Sequence, residues 1–416
     1  MWRKSRFLMI TGLLLAAFIL MQTPALAAGG GTSICDPDGV QSSGAVYRIC
    51  MPAGDWNGDL VIYAHGYVSP FEPLAIPEDQ LTLPDGSSLI DMITGMGYAF
   101  ATTSYATNGL AIPQGVQDVT DLVAIFAQTK GEPAYVYLTG PSEGGLVTAL
   151  GAEQHPDVFD GALSTCGPVG DFQKQTDFFG DFRVAFDYFF PGVLPPRPID
   201  IPGEVTSHWD DIYEPAISNA LAQDPHATRQ LFNVTRAAYD PTDPATMEKT
   251  TTWALWYNAF ATNDATAKLG GQPYDNSHKI YFGSDDDLAL NAGVQRFHAD
   301  PQARLEIQRH YQTSGNLKIP IVTMHNLLDP IVPYWHEPLY RQKTLANGAF
   351  FSHINIPIFR YGHCNFTTEE VLAAFGILVF RVEGHVIDIS TILPNARSRT
   401  RVYSLMRRYR VPAKHR

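Results

Sequence analysis

The chain is 416 residues long, 45% hydrophobic and 17% charged, enough to bury a large core; this excludes a disordered or fibrous protein and a small fold that depends on disulfides. Its net charge of −13 hides a division: three of the 29 basic residues lie among the first six positions and eight among the last twenty, leaving a body with 18 basic against 42 acidic residues, near −24. Such a surface repels polyanions, so nucleic acid is excluded as an expected partner, and anionic substrates are expected to react more slowly than neutral ones at low salt.

Taken in chain order, Met1–Arg6 is basic, Phe7–Met21 is apolar apart from Thr11 and Gly12, and Ala25-Leu26-Ala27 is a small-x-small triplet. Residues 1–27 therefore read as a signal peptide cleaved after Ala27. The apolar run is shorter than the ~20 residues a bilayer span needs, and no later segment is long enough. The mature chain is expected to be secreted, extracellular or periplasmic, without an integral membrane segment. Cys35, Cys50, Cys166 and Cys364 then lie in an oxidising compartment, and their even number suits two disulfides. Cys35 and Cys50 are close enough in sequence to close a small loop, which leaves Cys166 to join Cys364. No paired cysteine or histidine spacing points to a metal, and none is expected.

Segments rich in β-branched and aromatic residues read as strands at 45–50, 59–65, 98–105, 134–140, 161–166, 319–325 and 351–359. Amphipathic runs at 89–96, 116–128, 143–153 and 367–380 read as helices. The alternation is that of an α/β fold with a mostly parallel central sheet flanked by helices. It covers 28–166 and 317–383. Between them, 167–316 is helical and loop-like, rich in aromatics and prolines, and reads as a cap inserted before the strand that carries the candidate acid. In it Trp253, Trp256, Tyr257 and Phe260 share one helical face. Core packing is the better single explanation of that stripe, and a substrate-lining wall is the alternative. Asp285-Asp286-Asp287 lacks the ligand spacing of a calcium loop and reads as a solvated turn. Residues 384–416 form an extension whose basic end reads as mobile and solvated.

Chemistry concentrates at three places. Gly140-Pro141-Ser142-Glu143-Gly144 stands between an apolar strand and a helix, the setting of a nucleophile elbow, in which glycines on both sides let the backbones approach and expose the serine hydroxyl. Asp329 follows the strand at 319–325, and His363 lies between the last strand and a helix. In this order Ser142 is the candidate nucleophile, His363 its base and Asp329 the acid that orients the histidine. The upstream strand ends in His65-Gly66-Tyr67, where the backbone N–H of Tyr67, with that of Glu143, would form an oxyanion hole. His65 itself reads as a loop-bracing side chain.

On His65-Gly66, Gly140-x-Ser142-x-Gly144, Asp329 and His363, the chain resembles the α/β-hydrolase superfamily from about Gly44 to Phe380. The resemblance implies an eight-stranded sheet, no cofactor, and hydrolysis through an acyl-enzyme, with a small-molecule or polymeric ester as substrate and a serine peptidase of aminopeptidase or prolyl-oligopeptidase type as the alternative. Gly293–Arg296 and Leu328–Pro333 are similar to segments of secreted bacterial esterases and prolyl-oligopeptidase-like hydrolases. Tannases and feruloyl esterases tie the histidine loop by a disulfide whose first cysteine precedes the serine; here Pro141 stands at that place. The Cys166–Cys364 bridge is expected instead to hold His363 in register. Trp253, Trp256 and Tyr257 are the candidate substrate contacts; nothing in the sequence fixes the oligomeric state.

Overall fold

The computed structural model describes residues 33–83 and 85–409; the signal peptide expected at 1–27 and the last seven residues lie outside them. Nine strands form one sheet among the described residues: β1 (Ser33–Cys35), β2 (Gly39–Val40), β3 (Val46–Pro52), β4 (Leu60–Tyr63), β5 (Ala99–Thr103), β6 (Val136–Pro141), β7 (Gly161–Thr165), β8 (Ile321–Leu328) and β9 (His353–Tyr361). Their order is β1-β3-β5-β4-β6-β7-β8-β9, with β2 also on β3. Pairing is parallel from β5 to β9, whereas β3 runs antiparallel to β5 and carries β1 and β2 antiparallel on itself. Each of the seven predicted strands is present within three residues of its expected bounds. The expectation of eight strands is corrected to nine: β1 and β2 are three and two residues long, too short to carry an alternation pattern.

The helices are α1 (Leu89–Gly95), α2 (Ile112–Lys130), α3 (Glu143–Gln154), α4 (Phe172–Phe189), α5 (Gly203–Ser207), α6 (Glu214–Gln223), α7 (Pro225–Thr235), α8 (Thr246–Leu269), α9 (Asp287–Gly293), α10 (Pro301–His310), α11 (His336–Ala346), α12 (Thr368–Glu383) and α13 (Ala396–Arg408). All four residues of β4 are buried. Leu60 and Ile62 join the core under α2 and α3, and Val61 and Tyr63 the core under α1 and α12. Covered on both faces, the strand has no polar side, which is why it is apolar throughout.

The basic extension departs from its expectation. Residues 396–408 form α13, capped by Asn395, with Val402 and Met406 buried against α12. Those two apolar positions four apart, flanked by the half-buried Tyr403 and Leu405, make one face of a turn-spaced stripe. The mobile end expected for this segment is thus a docked helix as far as residue 408.

Between β7 and β8 the chain runs through α4 to α10; α4 to α9 share a hydrophobic core of their own, whereas Ala303 and Ile307 of α10 join the core under α2 and α3. His336 of α11 pins the start of this excursion: its Nδ1 accepts from the N–H of Gly170 at 3.0 Å and of Asp171 at 3.2 Å. Burial drives its pKa well below the ordinary range, so the ring is neutral and can accept. The acidic triplet is used locally, as the turn reading expects: Asp286 caps α9, Asp287 accepts from the N–H of Gly283 and Ser284, and Asp285 meets His226 at the surface. The aromatic stripe of α8 divides between the two readings: Trp256 and Phe260 pack against the core of the excursion, as the packing explanation expects. Ala254, Leu255 and Ala259 face the core of the excursion, while Trp253, Trp256, Tyr257 and Phe260 are only half-buried.

Candidate active site

Ser142 sits at the junction of β6 and α3 with φ 56° and ψ −122°, a conformation costing a side-chain-bearing residue about 1–3 kcal/mol. Its flanking glycines are sterically required. A Cβ on Gly140 would lie 2.5 Å from the carbonyl oxygens of Ala64 and Gly144, and one on Gly144 would lie 2.1 Å from that of Ala64. The strained turn is held by Ser142 N–H donating to Thr165 O at 2.8 Å and by α3, whose first bonds return to the Ser142 carbonyl.

His363 projects from the loop between β9 and α12. The loop is fastened three ways. Cys364, with φ 50°, is bonded to Cys166 at the end of β7. Asn326 of β8 exchanges two hydrogen bonds with the Asn365 backbone, at 2.9 and 3.0 Å. Thr367 and Glu370 form a capping box that fixes the start of α12. Cys35 and Cys50 form the other bridge, across β1 and β3.

Asp329 lies just past β8, buried. Its Oδ1 accepts from the N–H of Ile331 at 2.9 Å and of Val332 at 3.0 Å, and its Oδ2 accepts from His363 Nδ1 at 2.8 Å. With Nδ1 donating there, Nε2 is left to accept from Ser142 Oγ, 2.8 Å away. The structure thus brings Ser142, His363 and Asp329 into one hydrogen-bonded line. Burial pushes the Asp329 carboxyl up, but the charge of His363 and the hydrogen bonds from His325 and His363 outweigh it and hold it at about 2.

Behind Asp329 stands a group with no counterpart among the sequence candidates. His325, fully buried, faces three oxygens: Val332 O at 2.8 Å and Asp329 Oδ2 at 3.5 Å from Nε2, and Glu337 Oε1 at 3.1 Å from Nδ1. With acceptors at both ring nitrogens, both nitrogens donate and the ring is an imidazolium. Burial pulls its pKa down, yet Asp329 and Glu337 raise it to about 10. Glu337 is in turn held by Thr323 Oγ1 and Asn355 Nδ2 at 2.6 and 2.7 Å. The signal was the polar His325-Asn326 pair at the end of an otherwise apolar strand.

The Gly66–Tyr67 loop passes over Ser142; a Cβ on Gly66 would be 3.4 Å from that of Ser142. Gln80 secures it, accepting from Gly66 N–H at 2.7 Å and donating to Tyr67 O at 3.3 Å. Nothing in the sequence marked Gln80. His65 braces the same loop, stacked on Tyr105 with ring centroids 3.9 Å apart. Glu143 begins α3 directly after Ser142, and its buried side chain accepts from Ala111 N–H at 2.7 Å. Burial raises that carboxyl to about 8.

Two hollows meet at His363 and Tyr257. One, of about 360 Å³, opens on Ser142 and runs between α1 and α12, lined by Leu89, Met92, Ile93, Leu372 and Phe375. The other, of about 430 Å³, lies under the excursion and is lined by Trp209, Asp210, Glu214, Trp253 and Trp256. The three candidate contacts of α8 therefore face the site: Tyr257 borders both hollows, and its ring lies 5.6 Å from that of Tyr67.

No protein-family model and no curated protein sequence matches the chain. Among solved structures it is similar to Candida antarctica lipase A in its closed state, at 13% identity and TM-score 0.48 over 91% of this chain and 86% of that one. It is also similar to a Pyrococcus furiosus esterase, at 10% identity and TM-score 0.39 over 90% of each chain, and to Pyrococcus horikoshii acylaminoacyl peptidase, at 11% and 0.39 over 80% of this chain. The chain spans 37% of the length of that peptidase. At these identities the likeness bears on the fold alone. The chain has the α/β-hydrolase fold, on the order of its own parallel strands and the strand-turn-helix elbow at Ser142.

Proposed function

We propose that the protein is a secreted serine hydrolase that cleaves carboxylic esters through an acyl-enzyme. The observation that carries this reading is the line from Ser142 Oγ through His363 to Asp329, with both contacts at 2.8 Å. His363 Nε2 takes the proton as Ser142 Oγ attacks the ester carbonyl carbon. Asp329 keeps the tautomer and offsets the imidazolium charge. The backbone N–H groups of Tyr67 and Glu143 receive the oxyanion, each worth about 3 kcal/mol. Collapse expels the alcohol, protonated by His363, and water repeats the sequence to release the acid. His325 holds Asp329 from behind.

The acyl-enzyme needs no cofactor. Export is supported by the leader-like N-terminus and by two disulfides; no helix among the described residues is long and apolar enough to cross a membrane. Ester rather than peptide cleavage is supported by the hollow that opens on Ser142, whose described lining has no Asp, Glu, Lys or Arg to receive a peptide's charged end; the carboxylates Asp210 and Glu214 line the other hollow, which meets His363 but not Ser142. The test is a paired assay of the mature protein and Ser142→Ala on nitrophenyl esters and on aminoacyl and prolyl nitroanilides. Ester turnover lost in the variant supports the reading. Amide turnover instead promotes the peptidase, and full activity in the variant overturns the nucleophile.

A further inference from the structure

The two hollows are unlike each other, and the direction of proton transfer assigns them. In a serine hydrolase the histidine delivers its proton to the leaving group, while the acyl group stays on the serine. The hollow that contains Ser142 is therefore the acyl side, and the one that meets His363 without Ser142 is the leaving-group side. Resting on the proposed serine-esterase reading, we infer that the substrate's acyl group is an uncharged, extended hydrocarbon chain seated between α1 and α12, and that the aromatic excursion, apart from Tyr257 at the junction of the two hollows, contacts only the leaving group.

Three features of the acyl side carry this. First, its walls away from Ser142 come from buried side chains of the main core, Leu89, Met92 and Ile93 on α1 and Leu372 and Phe375 on α12; apolar surface of this kind gains by covering a chain and gives nothing to a charge. Second, its polar side chains are hydroxyls, including those of Tyr63, Tyr67 and Tyr257, together with Gln80 and His363, and none is a carboxylate, ammonium or guanidinium. Third, its volume of about 360 Å³ is within the ~300–1,000 Å³ usual for small-ligand sites, far more than an acetyl group fills. The leaving-group side has the opposite character, with Asp210 and Glu214 among the tryptophans.

Each methylene that enters such a wall should raise kcat/KM about fourfold, the transfer free energy of one buried CH₂, until the hollow is full. The experiment measures kcat/KM on nitrophenyl acetate, butyrate, hexanoate, octanoate and decanoate, and on ω-carboxylated acyl chains of matched length, for the mature protein, Met92→Trp and Met92→Ala. The quantity read is the ratio of each ester to acetate within one protein, so a general loss of active enzyme cancels. The expected result is a rising series in the wild type that the terminal carboxylate abolishes, a flattened series in Met92→Trp, and an optimum moved to longer chains in Met92→Ala. A flat or falling wild-type series, or ratios unchanged in both variants, overturns the acyl assignment and leaves the esterase standing. Absence of ester turnover at every chain length overturns the esterase reading, and this inference with it.

Discussion

The rim of the sheet and the helical excursion face each other across Ser142, and they are built by different rules. At the rim, position is forced: Ser142, Cys166 and Cys364 all have positive φ, Gly140 and Gly144 admit no Cβ, and a disulfide and a capping box fasten the histidine loop. The α8 stripe that faces the rim lies on an ordinary helix and presents half-buried rings. The comparison teaches where each kind of substitution should act, chemistry at the rim and binding in the excursion.

Ser142→Ala is the strongest way to test that division. It should lower kcat on the order of 10⁶-fold, the scale at which removing a serine nucleophile leaves only binding and oxyanion stabilisation, with KM little changed. Asp329→Asn follows at about 10⁴-fold, because an amide can donate to His363 Nδ1 and so favour the wrong tautomer. Steady-state kinetics on one ester measures both, and a KM-dominated loss in either would break the rule for the rim.

The two disulfides sharpen the same contrast within the sheet. Their separations of 198 and 15 residues correspond to about 5 and about 3 kcal/mol of unfolded-state restriction. Replacing Cys166 and Cys364 by serine should therefore cost more in Tm than replacing Cys35 and Cys50. It should also lower kcat by about 10², since a loop displaced by an ångström misaligns His363. The Cys35/Cys50 variant should lower Tm alone. Equal kcat in the two double variants would show that Asn326 and the capping box suffice to place the histidine.

In the excursion, Trp256→Ala should raise KM up to about tenfold and leave kcat close to wild type, because the ring packs on Phe260 and Tyr67 around the leaving-group side and such contacts are worth about 0.5–1.5 kcal/mol. Varying the alcohol at constant acyl group measures it. A kcat loss matching that of Asp329→Asn would place the tryptophan with the rim.

The same difference decides what could be read from the sequence. The elbow was legible because strand, glycine spacing and helix are local, and Asp329 and His363 followed from chain order once the elbow was placed. The orientation of α8 was not, since Trp253, Trp256 and Tyr257 satisfy helical periodicity equally well facing core or cleft, and only packing against Ala254 and Leu255 chooses. Gln80 and Glu337 were invisible for a related reason: each matters through a partner distant in sequence. His325 and Asn326 stood in view as polar residues ending a buried strand, yet nothing local says that one holds the acid and the other the histidine loop.

The smallest expected rate effect belongs to His325, and its sign is what makes it informative. As an imidazolium between Asp329 and Glu337, it offsets part of the negative charge that Asp329 presents to His363. In His325→Gln that charge acts unopposed, and the acid limb of kcat/KM moves to higher pH, costing a few-fold in rate on that limb. Stability carries the complementary signature. A histidine raised from 6.5 to about 10 stabilises the fold fully below its ordinary pKa and loses that contribution as pH rises toward 10. Asp329, depressed from 3.8 to about 2, contributes above its ordinary pKa and loses it as pH falls toward 2. Wild-type Tm should therefore decline between pH 7 and 10, and the decline should flatten in His325→Gln. A purely steric His325 would instead give a Tm lowered equally at every pH and an acid limb that stays where it was.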